Sequence, residues 1–106
     1  MATLRQKLRG QRVADGEASR KQVAERLKIA RDALGMTQVK FADLAGVSPQ
    51  AYNNWERGRQ RPDLDQAIAL CRAHGVTLDW IYRGTLAGLR YEVHDAAAKA
   101  LRSNKA

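Results

Sequence analysis

Three carboxamide side chains lie close together near the middle of the 106-residue chain. Gln50, Asn53 and Asn54 follow the spacing i, i+3 and i+4, which places them on one face of a helix. A carboxamide carries a donor and an acceptor side by side, and this pair matches the N6 and N7 edge of adenine in a DNA major groove. Lys and Glu would serve solubility better. The face therefore favours contact with nucleic acid over the alternative, an ordinary polar helix surface.

The charge of the chain also points to a polyanionic partner. Lys and Arg number 19 against 11 Asp and Glu, giving a formal net charge of +8. Such a balance favours nucleic acid first and an anionic membrane surface second. Arg57, Arg59 and Arg61 stand in one turn directly after the carboxamides. We expect them to hold backbone phosphates, the alternative being a solvated charged loop.

Helix start and stop signals predict the elements that carry these residues. Capping side chains occur at Ser19, Thr37, Ser48, Asp63 and Thr77, and glycine stops at Gly35, Gly46, Gly58, Gly75 and Gly84. They predict an all-α fold with five helices over residues 20–84. Residues 1–19 form a basic arm, either partly helical or a solvated tail. Residues 85–106 form a tail with a sixth helix.

Helical periodicity predicts which residues face inward. In the first helix the stripe is Val23, Leu27, Ala30 and Leu34; in the fourth it is Leu64, Ala67, Ile68 and Cys71; in the tail it is Leu89, Val93, Ala97 and Leu101. The tail stripe is suited either to a dimer contact or to packing back on the domain.

Residues 38–57 have the features of a helix-turn-helix. Gly46 tolerates the left-handed backbone of a tight turn, and Ala42 allows the second helix to cross closely. The apolar residues predicted to pack in the space between the two helices are Phe41, Ala45, Val47, Tyr52 and Trp55. The remaining positions of the second helix are left to face outward: Ser48, Pro49, Gln50, Asn53, Asn54 and Arg57.

Residues 26–84 resemble the phage-repressor/Cro-like (XRE-type) helix-turn-helix family. The matching text is RDALGMTQ at 31–38, FA at 41–42, GVS at 46–48, WERG at 55–58, Pro62, GVTLDW at 75–80 and Gly84. The resemblance implies a compact lambda-repressor-like domain. It implies a sequence-specific, double-stranded-DNA-binding transcriptional regulator, a repressor that reads the major groove with helix 48–57. Because a domain this small reads only a few base pairs, we expect a homodimer that reads two half-sites.

The resemblance also implies residue roles. Gln38 touches phosphate and supports the reading residues, while the first turn of the reading helix contacts bases. Pro49 departs from the family pattern because it offers no polar group, and it is expected to pack on a thymine methyl group. The full set of predicted DNA-contacting residues is Thr37, Gln38, Ser48, Pro49, Gln50, Ala51, Asn53, Asn54, Arg57, Arg59 and Arg61. Arg31 and Glu56 occupy the places of a structural ion pair, the alternative being an Arg oriented toward phosphate.

Other reactive residue types are interpreted as structural. His74 is expected to be a basic residue at a helix C-terminus, and Cys71 is expected to fill space on an apolar face. Tyr52, Trp55, Trp80 and Tyr82 are expected in or near the core. No catalytic constellation, metal site or cofactor is predicted, so no enzymatic activity is expected. A single cysteine fits a reducing cytoplasm. The resemblance implies a bacterial or phage-encoded, nucleoid-associated protein.

Two other functions compete with a sequence-specific repressor. One is an antitoxin-type interaction protein that binds a protein partner through residues 85–106 and autoregulates through the same domain. The other is a non-specific nucleic-acid or membrane-surface binder driven by charge alone. The latter predicts no preference for any one duplex sequence.

Overall fold

Six α-helices and their connecting turns make up residues 16–104, the part of the chain that the computed structural model describes. They are α1 (Arg20–Ala33), α2 (Gln38–Leu44), α3 (Pro49–Glu56), α4 (Leu64–His74), α5 (Leu78–Arg83) and α6 (Tyr91–Asn104). These residues contain no strand. The predicted all-α class, with five helices followed by one in the tail, is confirmed.

Side-chain caps fix the start of the first five helices. The predicted residues Ser19, Thr37, Ser48, Asp63 and Thr77 each accept a hydrogen bond from a backbone N–H in the first turn of the following helix. Pro49 stands at the first position of α3, where a missing N–H leaves no bond unmade. Helix α2 ends at Leu44, with Ala45 as its C-cap before Gly46.

The core lies along the inner face of α1, which contributes Val23, Leu27 and Ala30. Helices α3 and α5 pack on it through large aromatic side chains, and Trp80 donates its indole N–H to the Arg26 carbonyl at 3.1 Å. The fully buried large residues are Trp55, Trp80, Tyr52, Phe41, Leu27, Leu70, Ile81, His74, Val23 and Val93. The prediction that Tyr52, Trp55 and Trp80 belong to the core is confirmed.

Helix α4 turns a different face inward from the one predicted. Its buried residues are Ala67, Leu70 and His74, whereas Leu64 is 60% exposed. The prediction for Leu64 was wrong because the buried face lies roughly a quarter turn around the helix from the apolar stripe. Periodicity of apolar residues alone misses this face because it counts His74 as polar.

His74 is the last residue of α4, as predicted, but it lies in the core and does not act as a basic residue at the helix end. Its ring is 1% exposed and stacks on Phe41, with centroids 3.7 Å apart and planes 8° from parallel. Its Nε2 donates to the Phe41 carbonyl at 2.8 Å. Burial is the main cause that lowers the pKa of His74, so the neutral ring is favoured. His74 therefore joins the end of α4 to α2.

The tail helix α6 packs against α1. Val93 and Ala97 are fully buried in the common core, while Leu101 at the far end of the predicted stripe is 42% exposed. The sequence left two roles open for the tail, a dimer contact or packing back on the domain, and the structure has the second. Residues 1–15 of the predicted basic arm lie outside the described residues. Within the described chain, no helix is long and apolar enough to cross a bilayer.

Candidate nucleic-acid interface

Helices α2 and α3 form the predicted helix-turn-helix. The turn between them passes through Gly46, whose φ of +72° lies in the left-handed region that favours glycine. Phe41 and Tyr52 pack in the space between the two helices with ring centroids 5.2 Å apart, and Trp55 meets Tyr52 edge-on at 5.9 Å. Ala42 is fully buried at the crossing. The outward face of α3 thus rests on a rigid support.

The predicted reading residues share the outer side of α3. Gln50 is exposed in the first turn, and Asn53 and Asn54 are half-buried one turn later. Pro49 is half-buried, and Ala51 packs partly against the core. Only the three carboxamides on this side of α3 present side-chain groups that can both donate and accept.

A charged pair lies directly beneath this face. Arg31 donates two hydrogen bonds to Glu56, from Nε to Oε2 at 2.6 Å and from Nη2 to Oε1 at 3.0 Å. The Glu56 side chain is 2% exposed and that of Arg31 is 14% exposed. Burial by itself would raise the pKa of Glu56, but the Arg31 hydrogen bond leads the effects that lower it. Glu56 is therefore ionised at neutral pH.

The pair connects to the reading face through Gln38, the first residue of α2. Gln38 Nε2 donates to Glu56 Oε1 at 3.0 Å, and Gln38 Oε1 accepts from Asn53 Nδ2 at 2.8 Å. Arg31 also donates to the Met36 carbonyl at 2.9 Å, which holds the loop before α2. A continuous polar network therefore joins the end of α1, the start of α2 and the exposed side of α3. Thr37 and Ser48, two further predicted contacts, are the N-caps of α2 and α3.

The arginines after α3 diverge. Arg57 is exposed at the end of α3, and Arg59 Nη1 reaches Asn54 Oδ1 at 3.4 Å. Arg61 Nη1 instead donates to the Ala18 carbonyl at 3.0 Å, ahead of α1. Arg57 and Arg59 thus adjoin the reading helix, whereas Arg61 holds the chain entering α1.

The structure adds basic residues that the motif did not indicate. An open groove of about 300 Å³ separates α1 from the end of α3, and its walls include Lys21, Lys28 and Arg57. Glu25 stands between the two lysines and reduces their net charge. The seven-residue spacing of the lysines on α1 is the signal that could have found them. Among the described residues there is no cluster of His, Cys, Asp or Glu suited to a metal ion.

Fold and site together define a helix-turn-helix domain, and comparison with known proteins agrees. Residues 27–81, more than half of the chain, match the family model described as helix-turn-helix, so the chain belongs to the helix-turn-helix family. The family predicted from the sequence is confirmed. So is the class of function predicted for the domain, DNA binding in the regulation of transcription.

Three curated relatives carry names of the same kind. An SPbeta prophage-derived uncharacterized HTH-type transcriptional regulator, YonR of Bacillus subtilis, is 38% identical over 61 residues, covering 58% of this chain and 56% of the relative. Another uncharacterized regulator of that organism, YqaE, is 33% identical over 61 residues, covering 58% and 53%. Repressor protein C2 of Salmonella phage P22 is 28% identical over 72 residues, covering 68% and 33%. The matches thus span a third to just over half of the relatives. No solved structure matches the chain.

Proposed function

We propose that the protein is a sequence-specific repressor that inserts α3 into the major groove of double-stranded DNA. The observation that carries this proposal is the face of Gln50, Asn53 and Asn54, in which the network of Arg31, Glu56 and Gln38 holds Asn53. Asn54 is contacted separately by Arg59. A side chain that is ordered before DNA binds costs less affinity than one that must be ordered on binding, and these contacts supply such order for the two asparagines.

Phosphate contacts complete the interface. Arg57 and Arg59 lie at and just after the end of α3, and Thr37 marks the N-terminus of α2, an end of a helix that favours phosphate. Such contacts position a protein on the duplex without reading sequence. They supply the salt-dependent part of the affinity, while the carboxamides supply the preference between sequences.

Repression follows from occupancy, with no catalysis required. One α3 reads only a few base pairs, too few to select one site in a genome. We therefore propose a homodimer on DNA, with two half-sites about one helical turn apart. The P22 relative is named a repressor, which supports repression as the role of the protein. The antitoxin-type alternative receives no support from α6, because Val93 and Ala97 of its apolar stripe are buried within the domain.

Selection of bound duplexes from a random pool tests the proposal. At about 150 mM salt, where non-specific binding is weak, the protein should enrich one consensus with two related half-sites. Enrichment without any consensus would leave only a charge-driven binder. A consensus with a single half-site would contradict the homodimer but leave sequence-specific binding through α3 in place.

A further inference from the structure

The negative charge of Glu56 determines which residue donates and which accepts in the polar network beneath α3. An ionised carboxylate only accepts hydrogen bonds, so the Gln38 atom that faces Glu56 must be the nitrogen. The oxygen of the same carboxamide then faces the opposite way, toward α3. The orientation of Gln38 is thus set by Glu56 and, through it, by Arg31.

The orientation of Gln38 in turn determines the orientation of the Asn53 carboxamide. Because Gln38 presents its oxygen, the Asn53 atom that meets it must be the nitrogen, and Nδ2 lies 2.8 Å from Gln38 Oε1. The Asn53 oxygen, on the other arm of its carboxamide, is turned away from Gln38. Asn54 has the reverse polarity, because its Oδ1 accepts from Arg59 Nη1 at 3.4 Å. Two adjacent asparagines are therefore held in opposite senses.

We propose that Asn53 is a specificity-determining residue that presents Oδ1 to the exocyclic amino group of a base. In the major groove only adenine and cytosine offer such a donor, at N6 and N4, whereas guanine and thymine offer acceptors. Pro49 carries no polar side-chain atom, so the fixed acceptor on the Gln38 side of α3 is that of Asn53. This inference rests on the proposed function and adds the class of base that one position selects.

The polarity can be tested without DNA, in the free protein. Asn53→Asp replaces the donating nitrogen with an oxygen that faces the fixed oxygen of Gln38, whereas Asn54→Asp keeps an acceptor facing Arg59. The two substitutions are chemically identical and adjacent in one helix. We expect Asn53→Asp to lower Tm by about 5 °C and Asn54→Asp to change it by less than about 2 °C.

A second background separates Gln38 from other neighbours of residue 53. Gln38→Met removes the facing oxygen while keeping the length of the side chain. In that background the Tm difference between Asn53→Asp and Asn54→Asp should become smaller, and the remainder reflects the different charges near the two positions, Glu56 and Arg59. Equal Tm values for the two variants in the wild-type background, or a difference undiminished with Met at position 38, would overturn the proposed polarity.

Duplex selection then tests the base preference. Every base pair carries one such amino group, on adenine or on cytosine, so a fixed Asn53 Oδ1 selects the strand that supplies it. At one position of each half-site the wild-type protein should accept A·T and C·G and reject the reversed pairs T·A and G·C, and Gln38→Met should make that position degenerate while the others persist. Gln22→Met, on the exposed side of α1, is the matched control and should leave the consensus unchanged. A consensus unaffected by Gln38→Met refutes the inference and leaves the proposed function standing. The absence of any wild-type consensus refutes both.

Discussion

Removing Arg31 should destabilise the fold by leaving a buried charge without its partner. The variant is Arg31→Met, which keeps the aliphatic length of the side chain and deletes the guanidinium. Glu56, with a side chain only 2% exposed, then loses both of its hydrogen bonds from Arg31. Gln38 remains as a neutral donor to the carboxylate.

The expected cost is large relative to the stability of a small domain. Breaking a buried ion pair from one side costs about 3–5 kcal/mol because the other charge is stranded. Small domains are stable by about 5–15 kcal/mol in total. Since 1 kcal/mol shifts Tm by roughly 4–8 °C at this size, we expect Tm to fall by at least about 12 °C.

Thermal and urea unfolding followed by circular dichroism at 222 nm measures this loss, and pH separates its cause. The folded-state pKa of Glu56 is lowered, so its stabilising contribution is complete above the ordinary carboxyl pKa and is lost as the pH falls through the folded pKa. The cost of Arg31→Met should therefore be greatest near pH 7 and shrink below about pH 4.

The double variant Arg31→Met, Glu56→Gln is the matched control, because it removes the stranded charge as well. It should recover part of the stability at pH 7. A Tm for Arg31→Met within about 2 °C of wild type would refute the structural role of the pair. A double variant no more stable than the single one would show that the charge of Glu56 is not the cause.

Three further predictions concern other parts of the structure. Burial holds the folded pKa of His74 below its ordinary value, so its contribution to stability is complete above about pH 6.5 and is lost as the pH falls through the folded pKa. His74→Gln should therefore flatten the acid limb of a curve of Tm against pH, and an acid limb identical to that of the wild-type protein would contradict this. Arg59→Ala should reduce the slope of log affinity against log salt by about one, while Lys99→Ala on α6 leaves it unchanged. Gly46→Ala should cost about 1 kcal/mol in urea unfolding because of its positive φ, and Gly46→Asn should cost less.

Local chemistry made the helix boundaries predictable from the sequence. Ser48 followed by Pro49, or Thr77 before an apolar run, specifies a helix start through atoms only a few residues apart. The cap and the first turn interact whatever the rest of the chain does. The helix-turn-helix was predictable for the same reason, since Gly46 at the turn determines how two short helices meet.

Tertiary contacts decided what the sequence could not. His74 became a core residue because Phe41, 33 positions earlier, offers both a stacking surface and a carbonyl. The Gln38–Asn53 hydrogen bond depends on the side-chain geometry of two helices and on the charge of Glu56. Residue types at fixed spacing identified all of these amides as polar, but not which atom each one turns outward.

The base contact of Gln50 is the most direct test of how α3 reads DNA. Gln50 is exposed in the first turn of α3, so Gln50→Ala should remove a contact without disturbing the core. Duplex selection should then return the wild-type consensus with one position per half-site made degenerate, at a loss of about 1–3 kcal/mol of discrimination there. A consensus identical to that of the wild-type protein would contradict the account, because the bases would then be read elsewhere.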